Sequence, residues 1–472
     1  MNSPVDPAAA AVKPRIIPRS EHSVSRAQIS HNALRVLYRL REGGYQAFLV
    51  GGCVRDLLLG ITPKDFDVST DALPEEVRKL FRNCRLVGRR FRLAHVFFGR
   101  ETIEVATFRA SSAPSQAEEP VADLDDDEEG EAADVAAVVE PSDTHRAFDE
   151  SGRILRDNVY GNIDEDVWRR DFTANSLYYN IADFSLWDYV DGAADIASRT
   201  LRLIGDPETR YREDPVRMLR AARFEAKLDF SLDPATAAPI ALLADLLGGV
   251  PPARLFDETL KLFLTGHGAR SYEVLRRRGL LAALLPTVDA YAVAHPGNLV
   301  EQLLLQGLRN TDDRVQADKP VTPTFLFALL LYGPIARLIE AMPPERWHET
   351  GAILDACDQA VREAQSRISI PRRFALGVRE MFALQPRLEH PRGRRALRVL
   401  EHPRFRAAYD LLLLRAQLGL ASAENAAWWT RLQEVPEPER ERMADDLGGT
   451  PPRRDSARRG PRRRRRRPAS SA

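Results

Sequence analysis

Leu49-Val50-Gly51-Gly52-Cys53-Val54-Arg55-Asp56 and, shortly after it, Lys64-Asp65-Phe66-Asp67-Val68 decide how this chain of 472 residues is read. A short apolar run, Ala47 to Val50, meets two glycines, the pattern of a buried strand entering a tight turn. The second stretch reads as another strand, Asp65 to Val68. Side chains at i and i+2 of a strand share a face, so Asp65 and Asp67 are expected to project together while Phe66 and Val68 enter the core. Two neighbouring carboxylates repel unless a cation stands between them, and hard oxygen ligands at this spacing suit Mg²⁺ rather than zinc. The glycines let a backbone approach phosphates closely, and Arg55 can neutralise one. Taken singly these are weak signals, since a DxD is commonly a solvated strand edge and a Gly-Gly a plain turn. Their combination in a strand context is the informative observation.

Working outward, residues 1–25 are rich in Ala, Pro and Ser and read as a disordered arm. Ser30 is an N-cap candidate for a helix carrying Leu34, Leu37 and Tyr38 and stopping at Gly43-Gly44. Pro74 opens a short helix with Val77, Leu80 and Phe81 on one face. Leu93 to Phe98 and Thr102 to Phe108 are strand-like. From about Trp168 the pattern turns helical, with amphipathic runs at Val216 to Lys227, Leu255 to Thr265, Phe325 to Ala341 and Ala407 to Leu420. The expected organisation is a head domain at 26–190, interrupted by an acidic insertion at 111–145, then a helical neck at 191–290, a helical body at 291–449 and a disordered tail at 450–472.

The composition is that of a globular protein, 44% hydrophobic and 29% charged, with no apolar run long enough to span a bilayer. The N-terminus lacks a signal-like apolar core, and three scattered cysteines fit a reducing cytoplasm, so the expected location is cytoplasmic with no membrane partner. The formal net charge of zero conceals two opposed segments: eleven acids and no base in residues 111–142, and ten arginines with one acid in residues 453–472. The acidic segment buries too little apolar surface to offset its ordering entropy and reads as a disordered insertion. An arginine tail is a salt-sensitive, sequence-independent handle for RNA phosphates, or else simply a solvated terminus.

The Gly-Gly-x-x-Arg-Asp stretch followed by Asp65-x-Asp67 resembles the head of the class II nucleotidyltransferases, which include CCA-adding enzymes and bacterial poly(A) polymerases. Later segments agree in order. Ile103-Glu104-Val105-Ala106-Thr107-Phe108-Arg109 is similar to the strand supplying a third acid, Glu104. Arg169-Arg170-Asp171-Phe172-Thr173 is similar to the family's RRDFT motif. Glu213-Asp214-Pro215-Val216-Arg217-Met218-Leu219-Arg220, following Gly205-Asp206-Pro207, resembles its nucleotide-recognition helix. The match runs over about residues 45–285. It implies an α+β fold, with a β-rich, polymerase-beta-like head followed by a mostly helical body.

The resemblance also implies a chemistry. Phosphoryl-type transfer needs charge stabilisation more than covalent help. Asp65, Asp67 and Glu104 are expected to hold two Mg²⁺ ions about 3.5–4 Å apart, with Asp65, Asp67 and Asp171 as the catalytic acids. Asp171, directly after two arginines, reads equally as a structural ion pair. Gly51, Gly52, Arg55, Arg170, Glu213, Asp214, Arg217 and Arg220 are the expected nucleotide-binding residues, Asp214-Pro215 reading as an N-cap and Pro at N1 that put Arg217 and Arg220 on one helix face. The segment Leu86-Val87-Gly88-Arg89-Arg90-Phe91-Arg92-Leu93-Ala94-His95-Val96 resembles poly(A) polymerases more than CCA-adding enzymes, and gives Arg89, Arg90 and Arg92 as RNA contacts beside Arg462, Arg463 and Arg464 of the tail. His95 reads as a core or hydrogen-bonded histidine. None of the nine histidines precedes an aspartate, so the HD phosphohydrolase module of some CCA-adding enzymes has no support. The expected function is template-independent addition of adenylates from ATP to RNA 3′ ends. A CCA-adding enzyme and a non-catalytic RNA-binding protein are the alternatives.

Overall fold

The computed structural model describes residues 13–88, 92–110, 146–148, 154–157, 159–347 and 349–447. Arg89, Arg90, the acidic insertion at 111–145 and the tail arginines Arg462, Arg463 and Arg464 lie outside the described residues. The chain divides into two compact units: one takes in the described residues up to Ala290 together with Leu308–Val321 and Glu363–Ile370, the other Tyr291–Gly307, Thr322–Arg362 and the described residues from Pro371 on. The neck expected at 191–290 thus lies in the same unit as the head.

The first unit is built on an eight-stranded sheet of β1 (Arg15–Ile17), β2 (Ala47–Val50), β3 (Asp67–Thr70), β4 (Cys84–Val87), β5 (Leu93–Phe98), β6 (Glu101–Thr107), β9 (Leu177–Asn180) and β10 (Leu186–Asp188), while β7 (Arg146–Phe148) and β8 (Ile154–Asp157) form a separate hairpin. The strand order is β1-β10-β9-β2-β3-β6-β5-β4. Within it β3 and β6 run parallel, and the other neighbours are antiparallel. All four residues of β2 are buried, as befits a central strand covered on both faces. Helix α1 (His31–Glu42) packs on β2, β3 and β6, burying Ala33, Val36, Leu37 and Leu40, and the Ser30 hydroxyl accepts from the Ala33 amide at 3.0 Å at its start. On the opposite face Phe48, Val50 and Tyr178 join Phe108, Ile163, Val167 and Tyr189 in one apolar cluster. The chain leaves β2 through Gly51, whose φ of +79° and ψ of −140° suit glycine alone, and enters α2 (Gly52–Leu58).

Three expectations need correction. The mobile arm does not hold from Lys13 onward, because β1 pairs with β10 and buries Ile17, and Val24 is fully buried behind it. The second strand begins at Asp67 rather than Asp65. Val50, the last residue of β2, pairs with Asp67, so Asp65 has no ladder partner there and lies exposed in the preceding loop. The run Phe325 to Ala341 is two helices, Pro323–Leu330 and Tyr332–Glu340, bent by 44°. Pro334 has no amide for the preceding turn, and a Cβ on Gly333 would stand 2.6 Å from the Tyr291 ring. No single described helix is long and apolar enough to cross a membrane.

Within the first unit, α3 (Pro74–Leu80) packs on β4, β5 and β6, Ile163 of α4 (Ile163–Asp166) joins the apolar cluster on the sheet, and α5 (Gly192–Ala197), α6 (Pro207–Glu213) and α7 (Val216–Leu228) follow. The Asp206 carboxylate caps α6 through the Thr209 amide at 2.8 Å. Helix α7 starts at Val216, a residue later than the Asp214-Pro215 reading: Asp214 closes α6, and its Oδ1 accepts the Val216 amide at 3.3 Å. The second unit centres on Leu384, Leu388, Phe405, Tyr409, Leu412 and Trp429, with the Trp429 indole donating to the Leu388 carbonyl at 2.8 Å.

Gly51→Ala forces an L side chain into a glycine-only conformation. It is expected to cost about 1–3 kcal/mol of stability, read as a lowered urea midpoint with unchanged slope.

Candidate active site

Strand register assembles the acids. Asp67 on β3 pairs directly with Glu104 on β6, and Glu104 pairs with His95 on β5, so the three side chains stand in a row on one sheet face. The row continues through Val50 to Tyr178 on one side and to the exposed Arg85 on the other. A Cβ on Gly51 would lie 3.6 Å from an Asp67 carboxylate oxygen, so the glycine turn and the acid are in contact range. A cavity of about 680 Å³ opens here, lined by Lys64, Asp65, Asp67, Arg100, Thr102 and Glu104 among others. Burial, then the charge of Glu104, push the Asp67 carboxyl up to about 6; Arg170 opposes this and Asp65 adds to it.

Among the described residues no three His, Cys, Asp or Glu side chains stand ready-gathered around one point. The donor set nevertheless fits Mg²⁺, which keeps several waters and binds through one or two carboxylates plus substrate phosphates rather than through a closed protein cage. The crowding of Asp67 by Glu104 and Asp65 is the repulsion a divalent cation relieves. Asp65, outside the strand, reaches this set from a loop. His95 Nε2 stands 3.7 Å from Glu104 Oε1.

Arg170 and Asp171 are adjacent in sequence and face different partners. The Arg170 guanidinium donates to Asp166 at 3.0 and 3.1 Å, to the Tyr178 hydroxyl at 2.8 Å and to Ser69 Oγ at 3.0 Å. Burial opposes its charge, but Tyr178 and Asp166 hold it cationic behind Asp67. Asp171 accepts from Arg220 Nε at 2.8 Å, from Arg220 Nη2, and from the Phe172 amide at 2.8 Å. Burial would raise its carboxyl, but Arg220 and that amide outweigh it and hold the group below the usual range. Arg55, expected at a phosphate, is 1% exposed and donates instead to Asp56 at 2.6 and 2.9 Å and to Asn175 Oδ1 at 2.5 Å.

The residues expected to recognise the nucleotide form a second network. Glu213 accepts from Arg210 at 2.8 Å and from Arg217 at 3.0 Å, and Arg210 also donates to the carbonyls of Arg169 and Arg170 at 3.1 and 2.7 Å. Asp214 is held by both Nη groups of Arg254 at 2.8 and 2.7 Å. Arg254 and Arg210 were not among the residues expected from sequence. Arg254 follows Pro251-Pro252 with no local pattern pointing to Asp214, whereas Arg210 is one helical turn before Asp214 and its spacing was readable. Arg92 pairs with Glu75 at 2.9 Å.

Asp171→Asn removes a charge that Arg220 needs. A cost of about 2–3 kcal/mol is expected, the lower end applying because about a third of the Arg220 side chain is exposed. With a folded-state carboxyl held below its unfolded value of about 3.9, the wild-type advantage is full above that pH and is lost as pH falls through the folded value. Urea midpoints of the two proteins should therefore differ at pH 7 and converge in acid.

Three family profiles match the chain: the poly A polymerase head domain over residues 47–202, the probable RNA and SrmB-binding site of polymerase A over 229–292, and the polymerase A arginine-rich C-terminus over 345–469. Poly(A) polymerase I of Salmonella typhi is 46% identical over 445 residues, 93% of this chain and 90% of that protein. The CCA-adding enzyme of Lactobacillus gasseri is 31% identical over 248 residues, 52% of this chain and 54% of that protein. A solved tRNA-processing enzyme in apo form shares the fold, with a TM-score of 0.55 and 20% identity over 90% of this chain and all of that one. Likeness at this level along nearly the whole length, set beside a sheet that lines up Asp67 with Glu104, places the chain in the bacterial poly(A) polymerase I family of nucleotidyltransferases.

Proposed function

We infer that the chain is a polynucleotide adenylyltransferase, extending RNA 3′ ends with adenylates from ATP without a template. The observation that carries this is the near full-length relation to poly(A) polymerase I, arginine-rich C-terminal segment included, where the CCA-adding relative matches only about half the chain. Its place is the cytoplasm, where the three unpaired cysteines stay reduced.

Asp65, Asp67 and Glu104 would hold two Mg²⁺ ions, which when bound supply charge neutralisation at the attacking hydroxyl and at the triphosphate. The chain's own residues do the rest. The Gly51-Gly52 turn brings backbone up to the phosphates, while Arg55 and Arg170, paired internally, add positive field from behind the wall. Asp171 keeps the sheet and α7 in register through Arg220. Glu213, Asp214, Arg217 and Arg220 present donors and acceptors to the base, with Asp214 oriented by Arg254. One fixed pattern of donors and acceptors suffices for a single nucleotide, and nothing in it terminates the run. Arg89, Arg90, Arg92 and the tail arginines Arg462, Arg463 and Arg464 supply phosphate contacts that carry no sequence preference.

With an unstructured RNA and all four nucleotides, the expected product is a run of adenosines. A transfer RNA lacking its CCA end, given CTP alone, tests the alternative: efficient addition of two cytidines and then arrest overturns the adenylation reading. Asp67→Ala is expected to lower turnover by about 10³-fold or more with the fold retained. Near-normal turnover in a folded variant removes Asp67 from the metal site.

A further inference from the structure

The row of side chains across the sheet has two ends, and they are chemically different. Toward β2 and β9 it runs into Arg170, whose neighbour Asp171 leads to Arg220 and the nucleotide-recognition helix α7. In-line transfer puts the attacking oxygen and the leaving oxygen on opposite sides of the phosphorus. With the triphosphate served from the α7 side, the acceptor strand approaches over β6 and β5.

The face it meets there is unlike the rest of the sheet. On β5, Ala94 and Val96 are buried on the face opposite Glu104, and the alternate residues His95 and Phe97 look out beside Glu104. Phe97 is 37% exposed and pairs across the strands with Thr102, a wall of the cavity that also holds Asp67 and Glu104. The His95 ring meets the Phe97 ring edge-on, with centroids 6.3 Å apart and planes at 64°. Lys64 and Arg100 line the same cavity. An aromatic ring in solvent, beside a cavity where Lys64 and Arg100 stand among the acids Asp65, Asp67, Glu101 and Glu104, suits a nucleotide: a π-face for the base and a local cation for its phosphate.

We propose that Phe97, with His95 at its edge, is the stacking platform for the 3′-terminal base of the acceptor RNA, and that Arg100 neutralises the phosphate on that nucleotide's 5′ side. The proposal rests on the adenylation reading and adds to it the seat of the acceptor. Stacking tolerates any base, so the same platform accepts a transcript end and, after each addition, the new adenosine.

The test uses the full chain and an RNA ending in 5-iodouridine, irradiated with EDTA present and ATP absent. The expected cross-link is to Phe97 or His95, and it should vanish in Phe97→Leu, which keeps the apolar volume without the π-face. In steady state, Phe97→Leu should raise the KM for RNA on the order of tenfold with the KM for ATP unchanged, and Phe97→Tyr should restore it. Urea midpoints of the variants report whether the fold is intact. A cross-link placed elsewhere, or an unchanged RNA KM in folded Phe97→Leu, overturns the platform. Failure of the adenylation reading is seen separately, in which nucleotide the wild-type protein adds.

Discussion

Arg170 and Asp171 couple the two halves of the site, and the arrangement around them depends on that coupling. One backbone step separates a guanidinium tied to the sheet through Ser69, Tyr178 and Asp166 from a carboxylate tied to α7 through Arg220. Neither charge is left unpaired where burial would penalise it. The same segment is clamped again by Arg210, which donates to the carbonyls of Arg169 and Arg170, and by the edge-on Phe172–Phe224 ring contact. A displacement of α7 relative to the sheet breaks several of these at once. The distance between the acids on the sheet and the start of α7 is thereby set by these side chains.

The sheet supplies a direction as well as a scaffold. Asp67 is partly buried and crowded, Glu104 beside it is exposed, and His95 and Arg85 lie further out in the same row. Ionisable side chains therefore follow one another along a line perpendicular to the strands. Charge crowding is marked where the glycine turn meets Asp67, with Glu104 and Asp65 both pressing on its carboxylate.

What could be read in the sequence was local. Strand β2, the Ser30 cap, the Pro74 helix start and strand β5 follow from continuous apolar runs, capping hydroxyls and proline placement, and all four stand where those signals put them. The acids Asp67 and Glu104 were identifiable because their motifs are short and ordered. The internal partners of Arg55 and Arg170 were not, since Asn175 lies 120 residues from Arg55 and Ser69 lies 101 residues from Arg170. An arginine beside a phosphate motif reads as facing substrate until the fold reveals what else it meets. Strands β4, β9 and β10 are three or four residues long, too short to show a period, and β1 hides in a proline- and serine-rich context. Asp65 was placed on the strand by its spacing from Asp67, but ladder partners decide where a strand begins, and β2 offers none to Asp65.

The β3–β6 pair joins Asp67 to Glu104 through the parallel ladder, and the order in which the chain can fold follows from that. Antiparallel neighbours such as β5 and β6 close through a tight turn, while β3 and β6 have α3, β4 and β5 between them in sequence. Such a pairing pays its loop-closure entropy early and forms slowly compared with the hairpins around it. The two acids are therefore neighbours only in a chain whose sheet has closed. A nascent or partly unfolded chain presents them apart, so the juxtaposition of the two carboxylates arrives together with completion of the sheet.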